Sequence, residues 1–468
     1  MSLSMNPLEL QPPSVRLRGT DPESLITRIV LASSNGLRRH IGLARAGIIA
    51  GPLPHVVTRK NPSLDNYFAE LLLRTSYGAV DYLPNYEEHA LLGDPDELDT
   101  ELNPNLIGAV LIGIGGRSKS GKFLKIYDEH EALGTRRAPS ASEIVFREHL
   151  EGVDTEGMKS LRRLLGEINH IDSQGGATQG HLYNILKSLN VAEFIRPGFV
   201  FEPLHCQEKR AVIDACLASV CIAMKEYQNY DLTESVRDLE IEWENYLARI
   251  EKRIKYGFPD KIIPSAVREI KRTILKPSEP QIKGLPSNLT LKRILFAFRH
   301  CWHPSIAAYL LEFLFEAVRQ AQQSFEEIRT ADIPLRRYRN DYAFVYYEQG
   351  PKDRLSHRGL LSRMSSQSIE GLVVIFNPGP DTTAIFGTKH LKRAIWCSFV
   401  ESLIQSEGNS LWYVPTGDDG SIANFVLNGT NSYRGVAKTT LSSDNIFDLF
   451  TSCIEKYETS RVDSSTGR

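Results

Sequence analysis

Short apolar runs alternate with amphipathic stretches along the first two hundred residues. The runs are LITRIVLAS, HVVT, GAVLIGIG and LKIYD, and helical patterns lie between them through residues 36–50, 65–76 and 140–150. Alternation of strands with helices is typical of a mostly parallel sheet that helices cover on both faces. The pattern therefore predicts a doubly wound α/β domain over residues 23–200.

The hydrophobic period changes near residue 200. Between Val236 and Ile254 the apolar side chains recur close to every 3.6 residues, which indicates an amphipathic helix. The segment KPSEPQIKGLPSN, residues 276–288, is interpreted as a loop because Pro and Gly interrupt it without an apolar repeat. We therefore expect a helical connector over residues 201–335.

Strand patterns return in the last third of the chain. YAFVYYE, GLVVIFN, TAIFG, LWYV and IANFVLNG are short apolar runs, and helical patterns lie near residues 389–406 and 444–457. Together they predict a smaller C-terminal α+β domain over residues 336–460. The polar ends, residues 1–22 and 461–468, have no apolar period and are expected to be flexible tails.

Length and charge narrow the classes of function. A chain of 468 residues is long enough for two or three domains. Lysine plus arginine (55) almost balance aspartate plus glutamate (57), so any site for a polyanion must be local. No apolar stretch is long enough to span a bilayer and no secretory signal is evident, so we expect a soluble cytoplasmic protein. The six cysteines include no CxxC pair, which argues against a disulfide framework or a zinc ribbon.

One segment comes close to a phosphate-binding loop. Residues 116–123, GRSKSGKF, satisfy G-x-x-x-x-G-K, but Phe123 stands where the motif needs a hydroxyl for magnesium. Such a loop also opens a helix, whose N-terminus meets the phosphates. Here the strand-like run FLKIYD follows, so the segment is interpreted as the turn of a hairpin.

Acidic residues follow two of the predicted strands, at the places where an open parallel sheet binds its ligands. Asp65 follows HVVT at a helix start, where an N-cap role is the simplest interpretation. Asp128, Glu129 and His130 follow the run LKIY, and a solvated loop is equally compatible with them. Asp172 precedes a Gly pair and could brace that turn.

Taken in order, these segments resemble the motifs of the DHH phosphoesterase superfamily, and within it the melanocyte-proliferating-gene type of metal-dependent hydrolases. The family motif T-H-x-x-P-D-x-D-A is similar to residues 58–66, and a strand ending in D-x-G-G is similar to residues 112–116. The triplet D-H-H is similar to residues 128–130, and an I-D pair to residues 171–172. The resemblance implies two α/β domains facing across a cleft, two divalent metals, usually manganese, and phosphoester hydrolysis of small nucleotides or nucleic-acid ends.

The chain departs from these motifs at several metal ligands. The first-motif histidine is Arg59, which offers no lone pair. The motif aspartates are replaced by Ser63 and Gly113, and the first histidine of the triplet is Glu129. Because two metals need a dense cage of anionic ligands, these losses favour a single Mn²⁺ or Mg²⁺, or none.

The sequence therefore predicts a divergent DHH-like protein that binds a phosphorylated small molecule or a nucleic-acid end, with hydrolysis weak, single-metal or absent. A C-terminal segment, residues 434–439, is similar to the Gly-Gly-His-Lys-Thr segment that closes the family's substrate site, with Ala437 in place of the histidine. The predicted catalytic residues are Asp65, Asp128 and His130; the predicted metal ligands are Asp65, Asp128, His130 and Asp172; the predicted substrate-binding residues are Arg59, Glu129, Arg434, Lys438 and Thr439.

Two other functions remain open at this stage. The chain could be a non-catalytic interaction protein with a vestigial cleft, for instance a homo-oligomer through the helical segment, with no membrane partner. It could also be a full manganese-dependent phosphodiesterase that uses other ligands, such as His55, Asp81, His89 or His170.

Overall fold

The chain forms two compact units in the computed structural model. The described residues up to 322 belong to the first unit and those from 323 onwards to the second. The helices predicted as a connector therefore pack in the same unit as the parallel sheet. The structure describes residues 22–43, 49, 55–59, 62–77, 86–89, 107–113, 124–128, 139–174, 177–178, 180–186, 206–224, 233–253, 281–282, 284–330, 333–339, 341–348, 357–377, 382–408, 411–414, 422–428 and 439–466.

A parallel sheet organises the first unit. Its strands lie in the order β2-β1-β3-β4, and every neighbouring pair is parallel. The central strands β1 and β3 are buried, as parallel strands covered on both faces are. The strands are β1 (Val56–Arg59), β2 (Tyr86–His89), β3 (Val110–Ile112) and β4 (Lys125–Tyr127).

Helices make up most of the rest of the first unit, and two of them, residues 64–77 and 141–149, contact the sheet. The predicted helices through residues 65–76 and 140–150 and the periodic stretch from Val236 are all confirmed. The helices are α1 (Pro22–His40), α2 (Leu64–Tyr77), α3 (Ala141–His149), α4 (Glu156–Gln174), α5 (Cys206–Ala223), α6 (Thr233–Arg253), α7 (Leu291–Cys301) and α8 (Pro304–Thr330).

The run LITRIVLAS was expected to form a strand, and this prediction is wrong because the run lies within α1. Leu25, Ile29 and Leu37 are buried at multiples of four residues, which is the spacing of one helix face. The hydroxyl of Ser33 donates to the carbonyl of Ile29, within the same helix. The helix ends at His40, well before the predicted end at residue 50.

Two loop predictions also need correction. β3 and β4 are parallel, so the segment between them is not the turn of a hairpin, although FLKIYD does form a strand rather than a helix. Residues 86–89, for which the sequence predicted no strand, form β2. The predicted loop at 276–288 contains a short hairpin of β5 (Gln281–Ile282) and β6 (Leu285–Pro286), and its turn uses Gly284 at φ +76°.

A buried carboxylate joins α4 to the segment before α7. Glu167 accepts hydrogen bonds from the Ser287 hydroxyl at 2.7 Å and from the backbone N–H of Asn288 and Leu289 at 2.9–3.1 Å. His181 Nε2 lies 3.1 Å from the same carboxylate. The N–H of Tyr183 donates to His181 Nδ1, so the proton of the neutral ring is on Nε2 and points at Glu167.

The second unit is a six-stranded sheet with helices on both faces. The strand order is β11-β12-β10-β9-β8-β7, in which β8 and β9 are parallel and the other pairs antiparallel. Val345 and Val373 pack with α9, while the alternate positions Phe344 and Leu372 face α10 and α11. The elements are β7 (Arg336–Tyr338), β8 (Tyr342–Glu348), α9 (His357–Ser366), β9 (Glu370–Asn377), β10 (Thr382–Gly387), α10 (Arg393–Glu407), β11 (Trp412–Tyr413), β12 (Phe425–Asn428) and α11 (Ser443–Thr466).

The predicted fold class is confirmed: a mostly parallel α/β sheet, a helical middle and a C-terminal α+β sheet follow one another along the chain. α11 continues to Thr466, into residues expected to be a tail. Within the described part of the chain, no helix is both long and apolar enough to cross a bilayer.

Candidate functional site

The carboxyl edge of the parallel sheet brings predicted site residues together. In the shared register of β1, β3 and β4, Arg59, Gly113 and Asp128 stand at equivalent positions just beyond the last common row. Asp128 is buried there, at 3% exposure. Neighbouring strands are about 4.8 Å apart, so the backbones of Arg59 and Asp128 are about 10 Å apart across this row. His89 extends the row as the pairing partner of Arg59 on β2.

Asp65 reaches this edge from the first turn of α2 and meets the N-terminus of α3. Its Oδ2 accepts the N–H of Ala141 at 3.0 Å, and its Oδ1 accepts the N–H of Ser142 at 3.2 Å. The hydroxyl of Ser142 donates to the same Oδ1. Asp65 is therefore a capping residue, but it caps a different helix from its own, 76 residues further along the chain.

The electrostatic environment of Asp65 combines burial with several donors. Burial raises the pKa of its carboxyl, and the hydrogen bonds from Ser142 and from the α3 backbone oppose that rise. The positive end of the α3 dipole favours a negative charge at the same place. A carboxylate offers about four acceptor positions, and donors from Ala141, Ser142 and Ser140 occupy most of those of Asp65.

The start of α2 is capped by its own residues. The hydroxyl of Ser63 accepts the N–H of Asn66 at 3.2 Å, and Asn66 Oδ1 accepts the N–H of Ser63 at 3.2 Å. This is the reciprocal arrangement of a capping box, with Asn in the position usually held by Glu or Gln. Ser63, which replaces a motif aspartate, thus has a structural function in the first turn of α2.

Gly113 replaces the second motif aspartate, and another side chain fills the space next to its Cα. Gly113 has φ +63°, and a Cβ added there would collide with Asn66 Nδ2 and lie 2.6 Å from Asn66 Cγ. The Asn66 carboxamide therefore occupies the space into which any side chain at position 113 would extend. A carboxylate at this position does not fit unless Asn66 moves.

Asp172 is connected to the same region through α4. Ser140, the N-cap of α3, donates to Asn169 Oδ1 at 2.6 Å, and Asn169 Nδ2 donates to Glu143 at 3.1 Å. Asp172 lies three residues after Asn169, on the same side of α4, and is exposed. The structure thus places Asp65 at α3 and Asp172 on the helix that supports the start of α3.

Several predicted residues cannot be placed. Glu129, His130, Arg434 and Lys438 lie outside the described residues, as does the side chain of Arg59. Among the alternative ligands, His55 precedes β1, His89 is in β2, and His170 is half-buried in α4, while Asp81 is not described. In the described ranges no three His, Cys, Asp or Glu side chains are grouped as a metal site.

Thr439 of the second unit is described, and its polar groups contact the protein itself. Its N–H donates to Asn428 Oδ1 at 2.7 Å and its hydroxyl donates to Glu407 Oε2 at 2.6 Å. The same hydroxyl oxygen accepts the N–H of Leu441 at 3.1 Å. Thr439 is therefore held in place by Asn428 and Glu407. It directly follows the segment in the sequence that contains Arg434 and Lys438.

Sequence reasoning missed the polar residues that surround Asp65 and the helix starts next to it. Ser142, Asn66 and Asn169 were not among the predicted site residues, although two capping signals were visible: Ser63 three residues before Asn66, and Ser140 three residues before Glu143. These signals locate the helix starts. They do not tell which side chain from a distant element completes the cap.

No protein-family model and no curated protein match the chain. Solved structures do match. A DHH domain described as a member of the s1p family of ribosomal proteins matches with a TM-score of 0.36 and 10% identity, over 93% of this chain and 92% of its own.

RecJ from Thermus thermophilus is a second match. Its complex with Mn²⁺ has a TM-score of 0.32 and 9% identity, over 94% of this chain and 61% of RecJ. Its complex with Mg²⁺ has a TM-score of 0.28 and 10% identity, over 91% and 52%. At this identity the likeness concerns the fold alone. The superfamily and its subgroup stay predictions from the sequence motifs.

Proposed function

We propose that the protein binds a phosphorylated ligand, a nucleotide or a nucleic-acid end, at the carboxyl edge of its parallel sheet, and that hydrolysis there is weak, single-metal or absent. The observation that carries this proposal is the hydrogen bonding of Asp65. Its carboxylate, which stands where the motif has a metal ligand, is held by three donors of α3.

Charge at the sheet edge supports a phosphate ligand. Arg59 is positioned by β1 in the same row as Asp128. A guanidinium stays protonated and binds phosphate in bidentate fashion, so it supplies positive charge without a metal. The carboxyl edge of an open parallel sheet is also the usual place for a ligand in this architecture.

The loss of motif ligands at Arg59, Ser63 and Gly113 favours one cation over two. Two metals about 3.5–4 Å apart need bridging anionic ligands. Donors of α3 already occupy the Asp65 carboxylate, and the Asn66 side chain fills the space at Gly113. A single Mn²⁺ or Mg²⁺ would be held by Asp65, Asp128, His130 and Asp172, and would polarise a phosphoryl oxygen of the ligand.

Thermal unfolding with a 5′-phosphorylated tetranucleotide tests the binding proposal. A ligand at about 100 times its Kd adds about 2.7 kcal/mol to the free energy of unfolding, which is a measurable rise in Tm. We expect the rise in the unaltered protein and a much smaller one in Arg59→Ala. Arg237→Ala, an exposed arginine on α6, is the matched control and keeps the full rise.

Titration calorimetry with MnCl₂ tests the metal proposal. We expect at most one bound Mn²⁺ per chain. Two tightly bound Mn²⁺ ions would contradict the single-metal proposal and favour the full phosphodiesterase. No Tm rise with the tetranucleotide, at any concentration up to the millimolar range, would contradict phosphate binding and favour the interaction protein.

A further inference from the structure

Within the described residues, α9 covers only part of one face of the six-stranded sheet. On this side, Val345 of β8 and Val373 of β9 form a core with Leu360 and Met364 of α9. On the same face, the side chains of the next two strands are only half-buried. We call them the β10–β12 face; they are Thr382, Ala384 and Phe386 of β10 and Phe425 and Leu427 of β12.

The opposite face of these two strands is fully buried. Ile385 of β10 and Val426 of β12 belong to the core that includes α10 and α11. Because side chains alternate between the two faces of a strand, Phe425 and Leu427 face away from that core. In the described part of the chain, Phe425 belongs to neither core of the second unit. The partial exposure is therefore confined to one face of β10 and β12.

Phe386 and Phe425 place a pair of aromatic rings on this face. They are register partners on neighbouring antiparallel strands, and their rings are stacked, with centroids 6.2 Å apart and planes inclined by 28°. Phe386 also packs against the core at α9, which holds the pair in place. Aromatic rings that are accessible on a sheet stack on the bases of single-stranded nucleic acid, because every base has a flat π-face.

Basic side chains lie beside these rings. Lys389 is exposed two residues after the end of β10. Arg393 is exposed at the first position of α10, and its Nη1 donates to Asn424 Oδ1 at 3.1 Å. Asn424 directly precedes Phe425, so this hydrogen bond holds Arg393 near the aromatic pair. A cation in the first turn of a helix is unfavourable with respect to the helix dipole, so α10 itself does not account for Arg393.

Glu370, an acid next to the same loop, does not neutralise these two cations. Its Oε1 lies 3.4 Å from Lys392 Nζ, so this acid is paired with a third cation. His390 is also exposed in the loop, and its Nε2 lies 3.3 Å from the carbonyl oxygen of Ser365. Aromatic rings with a positively charged rim are complementary to a nucleic-acid strand, whose bases stack and whose phosphates pair with cations.

We infer that the β10–β12 face binds single-stranded nucleic acid, with bases stacked on Phe425 and Phe386 and phosphates paired with Lys389 and Arg393. This surface belongs to the second unit and needs no terminal phosphate on its ligand. The inference therefore goes beyond the proposed function, which concerns a phosphorylated group at the carboxyl edge of the parallel sheet in the first unit.

Fluorescence anisotropy with a labelled oligothymidylate of about twelve nucleotides, without a terminal phosphate, tests the inference. We expect Phe425→Ala and Phe425→Leu to weaken binding about fivefold or more, since both remove the ring on which a base stacks. Phe425→Tyr keeps a ring and is expected to keep full binding. Because Leu preserves the apolar bulk, equal binding by Phe425→Leu and the unaltered protein overturns the stacking role. If Phe425→Ala does not fold, as judged by circular dichroism, Phe425→Leu decides.

The salt dependence of binding tests the two cations. Loss of one phosphate contact to a single strand lowers the slope of log K against log salt concentration by about 0.7. We expect this change in Lys389→Ala and in Arg393→Ala. Lys456→Ala removes an exposed lysine of α11, on the other side of the sheet, and is the matched control that keeps the slope. An unchanged slope in both Lys389→Ala and Arg393→Ala overturns the contact with phosphates.

Two further measurements separate this inference from the proposed function and from another occupant of the face. Arg59→Ala is expected to bind the oligothymidylate as tightly as the unaltered protein. Binding that is lost in Arg59→Ala but kept in Phe425→Ala assigns the strand to the first unit and overturns the inference. No binding by the unaltered protein at low salt also overturns it. A lower mass of Phe425→Ala in sedimentation equilibrium would then assign the face to a contact between two copies of the chain.

Discussion

At the scale of single residues, the candidate site differs from the resembled motifs at neighbouring positions whose side chains depend on each other. Gly113 has no side chain where the resembled motif has a carboxylate, and Asn66, in place of a small residue, fills the vacated space. The carboxamide also completes the cap of α2 through Ser63. A group that would have bound a cation is thus replaced by one that stabilises a helix start.

Gly113→Ala is predicted to destabilise the protein by about 3 kcal/mol. A left-handed backbone costs an L residue about 1–2 kcal/mol, and overpacking a filled site adds about 1–3 kcal/mol. Gly108→Ala is the matched control, because Gly108 has φ +75° but nothing within 4 Å of its added Cβ, so only the first cost applies. Chemical denaturation of both variants measures the difference.

The double variant Asn66→Ala/Gly113→Ala completes the test. Removing the carboxamide makes room for the new methyl group but loses part of the α2 cap. The two changes should therefore be less destabilising together than the sum of the single changes. Strict additivity, or equal losses in Gly113→Ala and Gly108→Ala, would show that Asn66 does not fill this space.

At the scale of elements, buried polar side chains fix how helices meet. Glu70 and Arg74 of α2 pair with Arg210 and Asp214 of α5, at 2.7 and 2.6 Å. Glu70 and Arg74 are four residues apart on α2, and Arg210 and Asp214 are four residues apart on α5. The two ion pairs therefore lie one helical turn apart along the contact between the helices. Asp65 and Glu167 act in the same way at helix starts, each as a carboxylate that meets backbone N–H groups of another element.

Glu167 is expected to make the free energy of unfolding depend on pH. Burial opposes its ionisation, but hydrogen bonds from His181, Asn288 and Ser287 hold the pKa of Glu167 below its ordinary value. A carboxyl whose pKa is lower in the folded state stabilises the fold above its unfolded pKa of about 4.3, and this contribution disappears as the pH falls. We therefore expect the free energy of unfolding to decrease as the pH falls below about 4.5.

Glu167→Gln should reduce stability at pH 7 by about 2–3 kcal/mol and flatten the pH dependence between about pH 3 and 5. Glu156→Gln is the matched control on the same helix, since the Glu156 side chain is 78% exposed and pairs with exposed Lys159. Denaturant titrations across this pH range measure both effects. A pH dependence that is the same in Glu167→Gln and the unaltered protein would contradict the assignment.

At the scale of the whole molecule, the two units have separate cores. Phe298 of α7 belongs to the core of the first unit, and Phe399 of α10 to a core of the second. Both side chains are fully buried. Two cores without shared residues predict two cooperative units of unfolding.

Phe399→Ala and Phe298→Ala test this independence. Each removes a buried ring and is expected to destabilise its own unit by about 3–5 kcal/mol. Hydrogen-exchange mass spectrometry should show faster exchange in α10 and α11 for the first variant, and in α5 and α7 for the second. Loss of protection throughout the chain in either variant would instead indicate one cooperative unit.

Much of the element content was predictable, because it depends on local periodicity. The strands YAFVYYE, GLVVIFN and TAIFG and the helices α2, α3 and α6 follow from spacings of two or 3.6 residues, which the backbone itself imposes. The strand prediction for LITRIVLAS was wrong because a short apolar run, taken without the residues around it, fits a buried strand as well as a helix. The four-residue spacing of a helix face becomes clear only when the buried residues Ser33 and Leu37 are added to Leu25 and Ile29.

The sequence by itself determined most of the strands and helices, the placement of Asp65 at a helix start and of Asp128 directly after a strand, and the absence of key motif ligands. The tertiary structure alone decided that β3 and β4 are parallel, that Asp65 caps α3, and that Asn66 fills the space at Gly113. The reason is physical: periodicity and motif spacing act over a few residues, whereas these contacts join groups tens of residues apart. Their partners depend on the path of the folded chain.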